Sequence, residues 1–205
     1  KLNLNGFALD EISAKKTDRL FFANQIELNF SNYQMQLVDQ LHKLSIENVS
    51  ISSRRQIAQV QNLHVFPVSN TNIQDLLKQY NRSELYEFTI PELTLTDVDF
   101  HEAFYNKKLS VDTLRIKTPQ IYYENFAFLK SIEHKVEFED LFQLLSNYLG
   151  DIHLNKVDIP DGTIRLINHS RNGKTISLDN HFSLELDNTQ VNKDQFGRHK
   201  LLFSE

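Results

Sequence analysis

A chain of 205 residues, 40% hydrophobic and 24% charged, has the length and composition to build a real core and is not a disordered sequence. Its net charge of −5 and its lack of any basic block argue against nucleic acid as a partner, because phosphate neutralisation needs clustered Lys and Arg. Cysteine is absent, which excludes disulfides and thiolate metal sites, and no run of about eighteen apolar residues offers a membrane-spanning helix.

The chain opens at Lys1 without a basic-then-apolar leader and is expected to be an internal piece of something longer. Its first phrase, Leu2, Leu4, Phe7 and Leu9, spaces apolar residues by two, three and two. A regular strand would give twos throughout, and a helix would give threes and fours. The same spacing returns at Leu44, Ile46, Val49, Ile51; at Ala58, Val60, Leu63, Val65; and at Phe88, Ile90, Leu93, Leu95. It returns again at Leu109, Val111, Leu114, Ile116; at Ile121, Tyr123, Phe126, Phe128; and at Ile152, Leu154, Val157, Ile159. Composition alone would produce roughly 0.7 clean matches, and five of these seven are clean, so chance does not explain the pattern. Each phrase predicts a strand with one extra residue, a bulge, as at Glu47–Asn48 and Asp112–Thr113.

The phrases keep order. Leu44 and Leu109 are 65 residues apart, Ala58 and Ile121 are 63 apart, and Phe88 and Ile152 are 64 apart. Between the second and third phrase of each unit lies a helical pattern: "NTNIQDLLKQY", capped by Asn70 or Asn72, and "VEFEDLFQLLSNYLG", stopped by Gly150. "IELNFSNYQ" at 26–34 resembles "FSLELDNTQ" at 182–190, and "HKL" recurs at 42–44 and 199–201. Asn172–Gly173 marks a hairpin turn. The expected fold is mainly β: a stacked, curved antiparallel repeat sheet, as an open groove or a flattened barrel, with two short amphipathic helices. The whole of 1–205 reads as one repeat segment, with a partial unit 1–43, a full unit 44–108 and a partial unit 109–205.

No catalytic constellation, nucleophile elbow or phosphate loop is present, so the reading is non-enzymatic and calls for no cofactor. The sharpest chemical pattern is "TDVDFHEAF", 96–104, where a strand would set Asp97, Asp99 and His101 on one face as a divalent-metal set. The competing reading is a solvated strand face, and it is the one preferred.

The phrases "LSIENVSI", "LSVDTLRI" and "IHLNKVDI", the passage 140–166 and the strand–Pro–strand step of "TLRIKTPQIYYE" resemble the AsmA-like family, which includes TamB relatives. The resemblance implies a periplasmic segment in the envelope of a diderm bacterium, tethered to a membrane through parts not in this chain. It implies an apolar β groove that binds and transfers phospholipid between membranes, with neighbouring repeats of the full-length protein as further partners. In that reading the inward positions Ile46, Val49, Val111, Leu114, Leu154 and Val157 contact acyl chains. The alternative is a closed β-repeat spacer or interaction module. A single polar replacement, Val111→Asp or Leu154→Asp, would abolish lipid retention in a groove and destabilise a closed core.

Overall fold

The computed structural model describes residues 1–11, 19–20, 22–37, 39–69, 72–127, 129 and 150–192. Among the described residues, nine strands form one mixed, curved sheet: β1 (Leu2–Asn5), β2 (Gln25–Gln36), β3 (His42–Ser52), β4 (Ile57–Pro67), β5 (Glu84–Thr96), β6 (Lys108–Lys117), β7 (Gln120–Phe126), β8 (Asp151–His169) and β9 (Thr175–Asn192). Two short helices accompany them among the described residues, α1 (Ile73–Gln79) and α2 (Phe100–Tyr105). The mainly β reading therefore stands.

From β1 to β5 each strand pairs antiparallel with the next. Beyond β5 the plan changes. β6 and β7 both pair with β5 on one side and β8 on the other, so they form one line interrupted at Thr118–Pro119. Their pairing with β8 is parallel, and the expected antiparallel sheet is corrected to a mixed one. The cause is local. A type I′ hairpin needs positive φ at both of its central residues; Thr118 takes φ +40°, but Pro119 fixes φ near −65°, so that turn does not form. β8 then turns back into β9 through the expected signal: Gly173 takes φ +79°, and the Ser170 amide donates to the Lys174 carbonyl at 2.9 Å.

The register aligns the apolar phrases into rows across the sheet. Leu28, Ile51, Ala58, Leu95, Leu114, Val157 and Leu186 are successive partners through seven strands. A second row runs Phe30, Val49, Val60, Leu93, Ile116, and a third runs Tyr33, Ile46, Leu63, Ile90. Between the second and third rows lies the spacing of three. It is not the bulge expected from the sequence, because no strand there carries a residue more than its neighbour. Each strand kinks at the same level, at Asn32, Glu47, Asn62 and Pro91, and the ladder continues in unchanged register on either side. Asn32 and Asn62 adopt left-handed φ values of 57° and 50°, a conformation that Asn tolerates better than other non-glycine residues. Among the described residues, a true bulge occurs where β8 slips by one residue against β9 between Ile159 and Gly162.

The first phrase is only half strand. β1 ends at Asn5, Gly6 turns the chain at φ +67°, and Phe7 and Leu9 are exposed. α1 starts after Asn72 as expected, with Asp75 in its first turn, but Asn72 is itself left-handed and its side chain makes no cap bond. The second helical pattern lies outside the described residues apart from Gly150, and so does Phe128.

Candidate functional site

The inner, apolar face is covered at its two ends by different means. At the end where β5 begins, α1 lays Ile73, Leu76, Leu77 and Tyr80 against Leu41, Phe126 and Leu129. Beside it, Leu37, Leu44 and Val65 pack with Met35, Tyr86 and Phe88. This end is held by a polar lock. Asp39 accepts from the Leu41 and His42 amides at 3.0 and 3.1 Å, from His42 Nδ1 at 2.5 Å and from the Tyr86 hydroxyl at 3.0 Å. The buried His42 ring stacks on Tyr86 at 3.7 Å, and its Nε2 accepts from the Tyr86 amide at 3.3 Å. Burial pushes the Asp39 carboxyl up, but the bonds from His42 and Tyr86 outweigh it and hold the group below its ordinary value of 3.8. Sequence reasoning missed this lock; its one trace was the repeated "HKL".

At the opposite end, where β5 stops, Val98 and Phe100 close over Val111, Leu154 and Val157, with Leu95, Leu109, Leu114 and Ile152 around them. Four of the six sequence-assigned lipid positions, Val111, Leu114, Leu154 and Val157, belong to this cluster. Ile46 packs at the edge of the Leu37–Leu44–Val65 cluster, and Val49 is buried between its strand neighbours. The six thus lie on one face of one sheet, but not at one place.

Between the two covered ends run the second and third rows. Val60, Leu63, Ile90, Leu93 and Ile116 are half-buried, and Phe30 and Tyr33 are exposed. Among the described residues, Val60, Ile90, Leu93 and Ile116 belong to no closed cluster. Among the described residues, a half-buried aliphatic strip centred on Val60, Ile90, Leu93 and Ile116 therefore lies between the clusters, with Val49 buried in its second row and Ile46 and Leu63 packed against the Leu37–Leu44–Val65 cluster.

Neither the metal set weighed in the sequence nor the solvated strand face preferred to it forms at 97–101. β5 ends at Thr96, Asp97 turns the chain at φ +51°, and Asp99 caps α2 by accepting from the Glu102 amide at 2.9 Å. His101 follows on the helix, so the strand alternation that would align the three is gone. An Asp followed three residues later by Glu is a helix-start signal, and it was readable in "DFHE". Among the described residues, no three His, Asp or Glu side chains are placed to hold a metal ion.

The outer face is polar and internally satisfied. Lys117 meets Glu92 at 2.6 Å, Arg115 meets Asp158 at 3.4 Å and Lys156 meets Glu185 at 2.5 Å, each between adjacent strands. A shallow cleft of about 460 Å³ crosses β5, β7, β8 and β9 on this face. Its charged residues are already paired, Arg165 with Asp179, Glu87 with His64 and His181 with Asp161. Tyr122, at the cleft, donates to Glu124 at 2.8 Å; burial and that carboxylate push its phenol up to about 12, so it stays protonated.

Among the described residues, no helix is long and apolar enough to cross a membrane. No family model, curated protein or solved structure matches the chain.

Proposed function

We propose that this chain is a non-catalytic segment whose curved sheet holds phospholipid acyl chains on its inner face, as part of a path between membranes of a bacterial envelope. The observation that carries the reading is the aliphatic strip between the covered ends, centred on Val60, Ile90, Leu93 and Ile116. A continuous apolar strip is costly to leave in water, and an acyl chain recovers about 0.8 kcal/mol per methylene that it buries there. The rows are chemically alike, so a chain can shift from one to the next without a specific catch. The AsmA-like resemblance supports the periplasmic setting and a tether supplied by other parts of the protein.

This reading moves the contact surface away from Val111, Leu154 and Val157, whose cover by Val98 and Phe100 a lipid would have to displace. Organic extraction of the purified protein followed by mass spectrometry tests it, beside an unrelated β protein purified identically. Near-stoichiometric phospholipid on this chain alone is expected. Absence of enrichment from a cooperatively folded protein would overturn the proposal in favour of a structural spacer.

A further inference from the structure

The outer face pairs its charges with one another, but one row of uncharged groups on it is an exception. Thr89, Gln120, Thr163 and His181 are successive ladder partners on β5, β7, β8 and β9, and they line the outer cleft of about 460 Å³. His181 reaches Asp161 at 3.4 Å. The Thr89 and Thr163 hydroxyls and the Gln120 amide make no hydrogen bond among the described residues.

The cleft opens where two irregularities meet. Gln120 follows the break at Thr118–Pro119, and Thr163 follows the slip of β8 between Ile159 and Gly162. The Thr163 amide donates to the Pro119 carbonyl at 2.8 Å and ties the two together. Irregular strands bend, and here the bend makes a hollow in an otherwise flat polar face.

The lining selects a class of ligand. In the neighbouring row Glu87 is held by His64 at 2.8 Å and Arg165 by Asp179 at 3.4 Å. An anionic ligand would have to draw Arg165 away from Asp179, and a cation would have to compete with His64 and Arg165 for the two carboxylates. A neutral ligand disturbs neither pair. Each Thr hydroxyl donates once and accepts twice, and the Gln amide donates twice and accepts twice, a mixed capacity that matches sugar hydroxyls. Neighbouring strands lie about 4.8 Å apart, so Thr89, Gln120 and Thr163 spread over about 10 Å, a span suited to more than one sugar ring. Tyr122, two residues from Gln120 on the same face, has its hydroxyl held by Glu124 at 2.8 Å. Its ring is thereby fixed beside the row as a flat apolar wall for the C–H face of a sugar.

We propose that the outer cleft binds a neutral glycan, with Thr89, Gln120 and Thr163 bonding its hydroxyls and Tyr122 packing against one of its rings. The cleft lies on the face opposite the aliphatic strip, so this proposal is independent of the lipid reading.

The full chain is applied to an immobilised array of neutral and sulfated oligosaccharides, and the strongest neutral glycan is then titrated in solution by calorimetry. Saturable binding to neutral glycans is expected, with much weaker binding to sulfated ones. Gln120→Ala, at an exposed position, and Thr163→Val, of nearly the same shape, should each weaken binding about tenfold while thermal melts show both folded. Lys156→Ala, on the outer face away from the cleft, should bind like wild type. No signal from any glycan, equal or stronger binding of the sulfated ones, or neutral binding that survives both cleft variants would each overturn the proposal.

Discussion

The two units of the sequence repeat are built differently. In the first, β3 and β4 fold back on one another through Ser53–Gln56, where the Ser52 hydroxyl accepts from the Arg55 amide at 3.2 Å and Gln56 takes φ +56°. In the second, the equivalent strands β6 and β7 do not fold back but run on in line, with only Thr118 and Pro119 between them. Phrases with the same apolar spacing thus give an antiparallel hairpin in one place and two strands in one line, broken at Thr118–Pro119, in the other. A repeat in sequence fixes which residues face inward, but the connecting turn fixes topology. The consequence is the parallel pairing with β8 and a different cover at each end of the face.

The comparison breaks most sharply at Ile46 and Val111, equivalent positions 65 residues apart. Val111 is 3% exposed beneath Val98 and Phe100, so Val111→Asp buries an uncompensated carboxylate and is expected to cost about 4 kcal/mol. Ile46 is only half-buried, and Ile46→Asp is expected to cost less than half as much. Urea denaturation of the two variants measures both, and equal losses would erase the distinction between the units.

The next effect concerns the polar lock, which has no match in the second unit, since Lys107 stands where the first unit has His42. Asp39→Ala removes an acceptor shared by four donors and should cost about 3 kcal/mol, again by urea denaturation. The same group makes stability depend on acid. Because the folded carboxyl sits below its unfolded value of 3.8, its contribution is complete above that pH and is lost as pH falls through the folded value. Wild-type stability should therefore drop more steeply below about pH 4 than that of Asp39→Asn.

Smaller effects separate the real bulge from the shared kink. A Cβ on Gly162 would lie 2.6 Å from the far edge of the Phe182 ring, which must tilt away, so Gly162→Ala should cost about 1–2 kcal/mol. At the kink, Asn62→Ala should cost about 1 kcal/mol because alanine resists left-handed φ, while Asn62→Gly should be nearly neutral. Thermal melts of the three variants rank them.

Much of the inner face was legible in sequence. Leu44, Leu63, Leu93 and Leu114 all point inward because the two-three-two spacing survives folding intact, and the Asn172–Gly173 turn falls where expected. What was not legible depends on contacts between phrases. Glu47 alone cannot tell a bulge from a kink shared with Asn32 and Asn62, since that is decided by its neighbours across the ladder. Nor does the alternation in "TDVDFHEAF" reveal that Asp99 will cap a helix whose Phe100 closes over Val111. That closure covers four of the six sequence-assigned lipid positions, and the half-buried strip falls instead at residues such as Ile90 and Leu93 that the sequence did not single out.

The most direct test of the account compares Ile90→Asp with Val111→Asp for stability and for retention of a fluorescent phospholipid. The account predicts that Ile90→Asp loses retention while staying within about 1 kcal/mol of wild type, because an aspartate at a half-open position stays hydrated. Val111→Asp should be destabilised severalfold more. Undiminished retention in Ile90→Asp, or a stability loss equal to that of Val111→Asp, would contradict the claim that the middle of the sheet is an open apolar strip.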